Sequence, residues 1–258
     1  MGSLKAIVSI IIPSLLRADL LKWNLFSLAQ QKIPYPFETI VLNDGIPDDT
    51  ERVCREYEES LNLKYIFSGK RNLDGNIKWR GQGFAMNIGT RISTGSILIL
   101  CDAEMYHLND TVFHLAEPLL QKPNLITIPR LGKNDWSGEF LRHINERQGN
   151  YEPEALEHCD ELRIRLPFLM AVSRSEFYSI GGFDEDFIGV WYEDDDLVGR
   201  LQMNGCSYFE TGAETVHLFH PRDKGEGVEE RIAINEKLYF EKMSQIVRNQ
   251  GREWGKLE

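Results

Sequence analysis

Short apolar runs rich in β-branched residues alternate with stretches of helical periodicity along the first two-thirds of this chain. The run Ala6–Pro13 stops at a proline, as a buried strand does, and Asp19–Gln31 repeats apolar residues at helical spacing. Further strands are predicted at Phe37–Leu42, Leu63–Phe67, Ser96–Leu100 and Leu125–Ile128. Further helices are predicted at Gly83–Arg91, at Thr111–Leu120 and from a cap at Asp48 or Asp49 to about Ser60. This alternation predicts an α/β fold, a single domain in which helices flank both faces of a mainly parallel sheet.

The pattern loosens after Gly132. The stretch Lys133–Arg163 is polar and rich in charge, which predicts a mobile surface loop or a lid on the acceptor side. Beyond it a strand is predicted at Pro167–Val172, and helices at Ser175–Ile180, Glu193–Met203 and Val228–Arg248, the last of them amphipathic.

Net charge and cysteine usage argue against several classes of protein. A formal net charge of −11 over 258 residues disfavours a nucleic-acid binder, because such proteins carry an excess of Lys and Arg. No apolar run approaches the roughly 20 residues of a membrane span. Four scattered cysteines without a CxxC pair indicate free thiols in a reducing compartment. We therefore expect a cytoplasmic protein, and the amphipathic C-terminal helix leaves peripheral membrane association open.

Acidic residues follow two of the predicted strands. Asp44 comes after Phe37–Leu42, and Asp102-Ala103-Glu104 comes directly after Ser96–Leu100. Ligands bind at the carboxyl ends of parallel strands, and carboxylates two apart on an extended segment point the same way. Asp102 and Glu104 could therefore hold a divalent cation on a diphosphate. The alternatives are a solvated acidic pair and, for Asp44, a turn-former in Asn-Asp-Gly.

A second acidic group, Glu193-Asp194-Asp195-Asp196, begins a predicted helix. Acidic residues stabilise a helix N-terminus through the helix dipole. One interpretation is therefore that these four residues serve only to stabilise the start of the helix. Four consecutive carboxylates are more than a helix start requires, and their mutual repulsion can raise the pKa of one of these carboxyl groups towards that of a general base. The aromatic ring of Trp191 suits the apolar face of a sugar, the alternative being a place in the core.

Two histidines, His217 and His220, stand three apart in the last fifth of the chain. Imidazoles at this spacing could add nitrogen ligands to a metal held by Glu104, or they are unrelated side chains with one in the core. Arg222 and Lys224 follow them and could contact phosphate oxygens.

Several motifs in a fixed order carry a family resemblance. They are Val8-Ser9-Ile10-Ile11-Ile12-Pro13-Ser14 with Arg17, Val41-Leu42-Asn43-Asp44-Gly45, Gly83–Gly89 through Gly95, Ile99-Leu100-Cys101-Asp102-Ala103-Glu104, Gly181–Phe187, Glu193–Leu197 with Arg200-Leu201, and His220–Lys224. The first four resemble GT-A glycosyltransferases of the inverting family-2 type, the fourth being their metal-binding DxD motif. The last three resemble the galactosyltransferase region shared by β-1,4-galactosyltransferases and chondroitin-type polymerases.

The resemblance implies a Rossmann-like GT-A fold and transfer of a sugar from a nucleotide diphosphate sugar, with UDP expected, to a saccharide or glycoconjugate hydroxyl. Such transfer would serve polysaccharide or glycoconjugate synthesis. The resemblance also implies a division of the chain into a donor half (about 6–131), an acceptor and catalytic half (about 132–225) and a C-terminal helical tail (about 226–258).

The resemblance also assigns roles to residues. The expected donor contacts are Pro13, Ser14, Arg17, Asp44, Arg80, Asn87, Asp102 and Ala103, and the expected Mn²⁺ or Mg²⁺ ligands are Glu104, Asp102, His220 and His217. Asp194 is expected to be the general base and Glu193 to orient the acceptor, with Asp195 as the alternative base. The expected acceptor contacts are Trp191, Gly182 and Phe183.

This chain departs from the family pattern at three places. Glu104 stands where the metal motif usually ends in Asp, which leaves the metal preference open. Met86 stands where an Arg commonly precedes Asn87, so Arg80 is expected to supply that charge. Trp191 lies one place after the usual position of the loop tryptophan, which leaves the acceptor sugar open.

Two other functions compete with sugar transfer. A nucleotidyltransferase that forms nucleotide sugars would carry a Gly- and Arg-rich phosphate loop after the first strand, but Ser14-Leu15-Leu16-Arg17 contains no glycine. A degenerate nucleotide- or glycan-binding module is disfavoured by the intact acidic group and the two histidines.

Overall fold

A computed structural model describes residues 6–45, 47–68, 81–162, 168–221 and 227–257. Its strands are β1 (Val8–Ser14), β2 (Phe37–Asn43), β3 (Leu63–Phe67), β4 (Ile97–Cys101), β5 (Met105–His107), β6 (Leu125–Asn134), β7 (Asp160–Glu161), β8 (Leu169–Ser173) and β9 (Ser207–His217). Its helices are α1 (Ala18–Ala29), α2 (Thr50–Arg55), α3 (Gln82–Ile92), α4 (Thr111–Gln121), α5 (Glu139–Glu146), α6 (Arg174–Ser179), α7 (Glu193–Met203) and α8 (Val228–Lys242), and a 3₁₀ helix spans Pro153–His158.

The nine strands form one sheet in the order β3-β2-β1-β4-β8-β6-β9-β5, and β7 pairs with β6. Strands β1 to β4 are parallel to one another, β8 runs antiparallel between β4 and β6, and β6 is parallel to β9. Because β1 lies between β2 and β4, the carboxyl ends of all three meet at one edge. The predicted α/β class is confirmed, and Asp44 and Asp102 both lie at this edge.

The apolar runs form strands that are buried on both faces. Alternate residues of β1 enter different clusters, with Ile10 and Ile12 on one side of the sheet and Ile11 on the other. The first cluster includes side chains from α1, α2 and α4, and the second includes side chains from α3, α6 and α7. Burial on both faces explains why these runs are continuously apolar rather than alternating.

The prediction of a mobile loop at Lys133–Arg163 is wrong for the described part of that segment. β6 continues to Asn134, α5 and the 3₁₀ helix follow, and Phe140 and Ile144 are fully buried. Both pack in a third apolar cluster that includes Tyr106. The sequence shows no clear helical pattern at α5, because its eight residues span little more than two turns and most of them are charged or polar.

Strands β5 and β9 were not predicted from the sequence. β5 has only three residues, and the first half of β9 is largely exposed and polar, so neither shows a clear apolar pattern. β9 is nevertheless central to the fold, because it pairs with both β6 and β5 and ends at His217.

The C-terminal residues pack against α6 and α3. α8 ends at Lys242, short of the predicted end at Arg248. The chain then turns back, so that the Arg248 amide donates to the Ile180 carbonyl oxygen at 2.9 Å and Trp254 packs near Phe177. Among the described residues, no helix is long and apolar enough to cross a membrane.

Candidate active site

Asp44 lies buried just beyond β2, beside the end of β1. Its amide donates to the Ser14 carbonyl oxygen at 3.2 Å, and its carboxylate accepts a hydrogen bond from the Ser68 hydroxyl. The Ser14 hydroxyl lies 3.2 Å from the Thr50 hydroxyl, and Pro13 is half-buried. The structure therefore brings the predicted donor residues of β1 and β2 together and adds Ser68, which no sequence motif indicated.

Asp102 lies buried at the end of β4. Its amide donates to the Phe168 carbonyl oxygen at 2.8 Å, and Gln82 at the start of α3 donates to its carboxylate. Burial raises the pKa of Asp102 well above its usual value, and the nearby charges of Glu104 and Asp194 raise it further. Ala103 is buried in the apolar core, so its side chain faces away from a ligand.

Glu104 and His220 lie on either side of the Arg17 guanidinium. Arg17 Nε donates to Glu104 Oε1 at 2.6 Å, Arg17 Nη2 lies 3.3 Å from His220 Nδ1, and His220 Nε2 lies 3.9 Å from Glu104 Oε1. β5 and β9 cause this approach, because the Leu218 amide donates to the Glu104 carbonyl oxygen at 2.8 Å. Two predicted metal ligands and one predicted donor contact thus meet at one point.

His217 is buried beside this group. Its Nδ1 lies 2.8 Å from Asn134 Oδ1, and its ring centroid lies 5.3 Å from that of His220. With the proton on Nδ1, the ring donates to Asn134 and keeps the lone pair on Nε2, which is the arrangement of a ligating histidine. Asn134 was not predicted as a site residue, because a single amide side chain on a strand has no characteristic spacing to other site residues.

These residues suit a divalent cation in part. A carboxylate oxygen and an imidazole nitrogen approach within 3.9 Å, and such donors suit Mn²⁺ and related metals. The described residues contain no ready-made group of three metal-binding side chains. A cation bound mainly through phosphate oxygens needs only one or two protein carboxylates, so Glu104 and His220 fit an ion that arrives with a diphosphate.

The acidic run at the start of α7 separates into two environments. Burial, and then the charge of Asp194, raises the pKa of Glu193 to about 8. Burial, and then the charge of Asp195, raises the pKa of Asp194 to about 7, and burial also raises that of the more exposed Asp195. Asp196 is different, because it is buried against Arg200 Nε at 2.7 Å and Arg248 Nη2 at 2.6 Å.

The start of α3 connects the acidic run to Asp102. A Cβ atom placed on Gly81 would lie 3.2 Å from Glu193 Oε1, and the next residue, Gln82, donates to Asp102. The second Glu193 oxygen, Oε2, is buried without a hydrogen-bond partner among the described residues. Protonated Glu193 could therefore donate a hydrogen bond to a bound ligand, and Asp194 could accept a proton near neutral pH.

Three predicted contacts prove to be packing residues. Asn87 is fully buried, and its amide bonds the Phe183 backbone, accepting from the amide at 2.9 Å and donating to the carbonyl oxygen at 3.0 Å. Gly182 has φ +69°, and a Cβ on it would lie 2.6 Å from Asn87 Oδ1. Phe183 is buried in the core. Asn87 therefore holds this glycine turn rather than a donor, and neither Gly182 nor Phe183 is available to an acceptor.

Trp191 remains available to a ligand, because 60% of its surface is exposed beside Glu193. Arg80, Arg222 and Lys224 lie outside the described residues.

A family model described as glycosyl transferase family 2 matches residues 9–181, more than half of the chain. The chain belongs to this family. A second model, described as the N-terminal domain of galactosyltransferase, matches residues 168–224, which include α7 and His220. The family resemblance expected from the motifs is therefore confirmed.

Several curated relatives of this family-2 glycosyltransferase are longer proteins. Hyaluronan synthase of Pasteurella multocida is 33% identical over 249 residues, covering 84% of this chain and 25% of that protein. Chondroitin synthase of Escherichia coli is 25% identical over 278 residues, covering 93% of this chain and 38% of that protein. The chain thus spans well under half the length of either synthase.

Solved structures show the same fold as this family-2 glycosyltransferase. GalNAc-T7 with UDP, GalNAc and Mn²⁺ has a TM-score of 0.62 at 15% identity, covering 87% of this chain and 46% of that one. The mannosyltransferase PcManGT of Pyrobaculum calidifontis with GDP-Man and Mn²⁺ has a TM-score of 0.61 at 20% identity, covering 93% and 64%. The GT-A architecture is confirmed.

Proposed function

We propose that this glycosyltransferase is a metal-dependent, inverting enzyme that transfers a sugar from a UDP-sugar to a hydroxyl of a saccharide or glycoconjugate acceptor. One observation carries the proposal, the convergence of buried Asp102, the Glu104–His220 pair and the carboxylates of Glu193 and Asp194 at one edge of the sheet. Polysaccharide synthases among the relatives and the UDP and Mn²⁺ named for GalNAc-T7 support the same chemistry.

The donor side of this proposal rests on the ends of β1, β2 and β4. Asp44 would accept hydrogen bonds from the base or ribose, and Asp102 would bind the ribose or the metal-bound network. Glu104 and His220, with His217 beside them, would hold Mn²⁺ or Mg²⁺ on the diphosphate. A bound cation offsets the negative charge that develops on the leaving diphosphate.

The acceptor side rests on α7. Asp194 would remove the proton from the acceptor hydroxyl as its oxygen attacks the anomeric carbon, while the bond from that carbon to the diphosphate oxygen breaks. A pKa of about 7 suits a base that works near neutral pH. Glu193 would orient the acceptor, Asp195 is the alternative base, and exposed Trp191 would stack on the sugar face. A single displacement inverts the anomeric configuration.

The experiment is a thermal-shift screen of UDP, GDP, CDP and dTDP, each with Mn²⁺, Mg²⁺ or EDTA. A ligand that binds only the native state raises the melting temperature. We expect UDP to give the largest shift, only with metal, and Glu104→Gln to abolish it. Glu59→Gln is the matched control, because Glu59 is an exposed carboxylate in the turn that follows α2.

Three outcomes would contradict the proposal. A shift with UDP that survives EDTA would exclude metal dependence, and a larger shift with GDP would replace the proposed nucleotide. A nucleotide shift without transfer to any tested saccharide would favour a binding module. The product anomer, determined by NMR on the transferred sugar, tests inversion independently.

A further inference from the structure

α8 contains one residue that does not belong on a surface helix. Both family matches end before this helix begins. Most of its side chains are exposed or half-buried, but Asn235 in its middle has no exposed surface. A buried amide is costly unless its hydrogen-bonding groups are satisfied, so the partners of Asn235 indicate what the residue does.

The Asn235 amide is bonded to the backbone of residues 188–191. Asn235 Oδ1 accepts from the Ile188 amide at 3.2 Å. Asn235 Nδ2 lies 2.8, 3.0 and 3.1 Å from the carbonyl oxygens of Ile188, Val190 and Trp191, which share its two N–H groups. One side chain therefore supplies hydrogen bonds that this segment would otherwise take from a neighbouring strand or from water.

The segment held by Asn235 has an unfavourable backbone conformation. Trp191 and Tyr192 have φ values of +76° and +70°, in the left-handed region that bulky L-residues avoid. Such conformations persist only where surrounding contacts enforce them. Without Asn235, the segment would relax towards negative φ values, and the direction of the Trp191 side chain would change.

Further residues of α8 contact the same segment. The Tyr192 hydroxyl donates to Glu236 Oε1 at 2.8 Å, and its ring lies 5.4 Å from that of Tyr239. A Cβ on Gly189 would lie 2.8 Å from Arg231 Cδ, so the helix covers this glycine closely. The contact therefore extends along two turns of α8.

We propose that Asn235 is a positioning residue for the acceptor side of the active site. Residues 188–192 lead directly into Glu193 and Asp194, so the conformation that Asn235 imposes sets both the exposed Trp191 ring and the entry to α7. Its link to acceptor binding rests on the proposed function. The enforced loop conformation is independent of that function.

The test compares Asn235→Ala with Lys237→Ala, an exposed position on the same helix. Hydrogen exchange of the peptide covering 186–196 is expected to accelerate at least tenfold in Asn235→Ala and to be unchanged in Lys237→Ala. UDP affinity with Mn²⁺ should stay within twofold in both variants. With a panel of mono- and disaccharide acceptors, kcat/KM for the acceptor should fall at least tenfold while the donor KM is unchanged.

Unchanged exchange in Asn235→Ala, or loss of acceptor and UDP binding together, would overturn the positioning role. Should Asn235→Ala fail to fold, Tyr192→Phe removes only the hydroxyl bond to Glu236 and is expected to raise the acceptor KM about threefold without changing the donor KM. If the wild-type protein binds no nucleotide, the proposed function fails, while the exchange comparison still decides whether Asn235 holds the loop.

Discussion

Asp194 and Asp196 lie two residues apart on α7 in opposite electrostatic environments. The pKa of Asp194 is raised because burial and a neighbouring carboxylate oppose its charge. Asp196 is ion-paired with Arg200 and Arg248. Replacing each with asparagine is therefore expected to change the stability of the protein in opposite directions, although the two substitutions are chemically identical.

For Asp194→Asn we expect a stabilised protein at alkaline pH. A folded-state pKa of about 7 exceeds the usual 3.8 by about three units, so ionisation in the folded state costs at most ~4 kcal/mol. Partial exposure and coupling to Glu193 reduce our expected gain to ~2 kcal/mol, or ~4–8 °C in melting temperature. Because the folded-state pKa is raised, this cost is absent below about pH 4, grows with pH and is complete above about pH 7.

For Asp196→Asn we expect destabilisation. Removing this carboxylate leaves the buried Arg200 guanidinium without its paired charge, and breaking a buried pair in this way costs about 3–5 kcal/mol. An asparagine oxygen can still accept one hydrogen bond, so the lower part of that range applies.

The assay is calorimetric melting of both variants at pH 5 and pH 8 in metal-free buffer. The gain of Asp194→Asn at pH 5 should be about a third of that at pH 8. The cost of ionisation accumulates between the usual pKa of 3.8 and the folded-state pKa of about 7, and pH 5 lies only about a third of the way between them. Transfer by Asp194→Asn should fall by a factor of about 10²–10⁴. Equal gains at both pH values, or a loss of stability at pH 8, would refute the reasoning.

Four further predictions concern other parts of the molecule. Below about pH 7, kcat/KM should fall about tenfold per pH unit as Asp194 becomes protonated, and a flat pH–rate profile between pH 5.5 and 7 would contradict this. Arg17→Gln should tighten nucleotide-free Mn²⁺ binding about tenfold, because a cation 2.6 Å from Glu104 is removed; weaker binding, measured from the free Mn²⁺ EPR signal, would argue against it. Gly182→Ala should cost about 2–4 kcal/mol in urea unfolding, because φ is +69° and the added Cβ has no space; a change below ~1 kcal/mol would be the opposite result. Phe140→Ala should cost about 3–5 kcal/mol and expose residues 139–158 to protease, whereas unchanged protease resistance would show that this packing is dispensable.

Sequence patterns predicted the elements that are apolar on both faces or long enough to show a period. β1, β2 and β4 were found to within about two residues, and α7 was found with its bounds at Glu193 and Met203. β9 and α5 escaped because their burial comes from distant elements rather than from local pattern. α5 becomes a buried helix only where Tyr106 and its neighbours cover Phe140.

The candidate site was predictable where chemistry follows a strand end. Asp44, Asp102 and Glu104 lie there because parallel strands carry their carboxyl ends to one edge. Motif similarity alone assigned Asn87 to the donor and Phe183 to the acceptor, whereas in the structure the Asn87 side chain bonds the Phe183 backbone and the Phe183 ring is buried in the core. Gln82, Asn134 and Asn235 were missed because isolated amides show no characteristic spacing.

By itself, the sequence determined the α/β class, the acidic residues beyond two strands and the cluster of carboxylates at one helix start. Only the tertiary structure decided which of those carboxylates are available for chemistry. Successive helical residues differ by about 100° in direction, so Asp194 and Asp196 point to different sides of α7. On one side Asp196 forms an ion pair with Arg248, which lies 52 positions further along the chain. On the other, Asp194 lies close enough to Asp102 to raise its pKa, and that proximity exists only when α7 packs beside the end of β4.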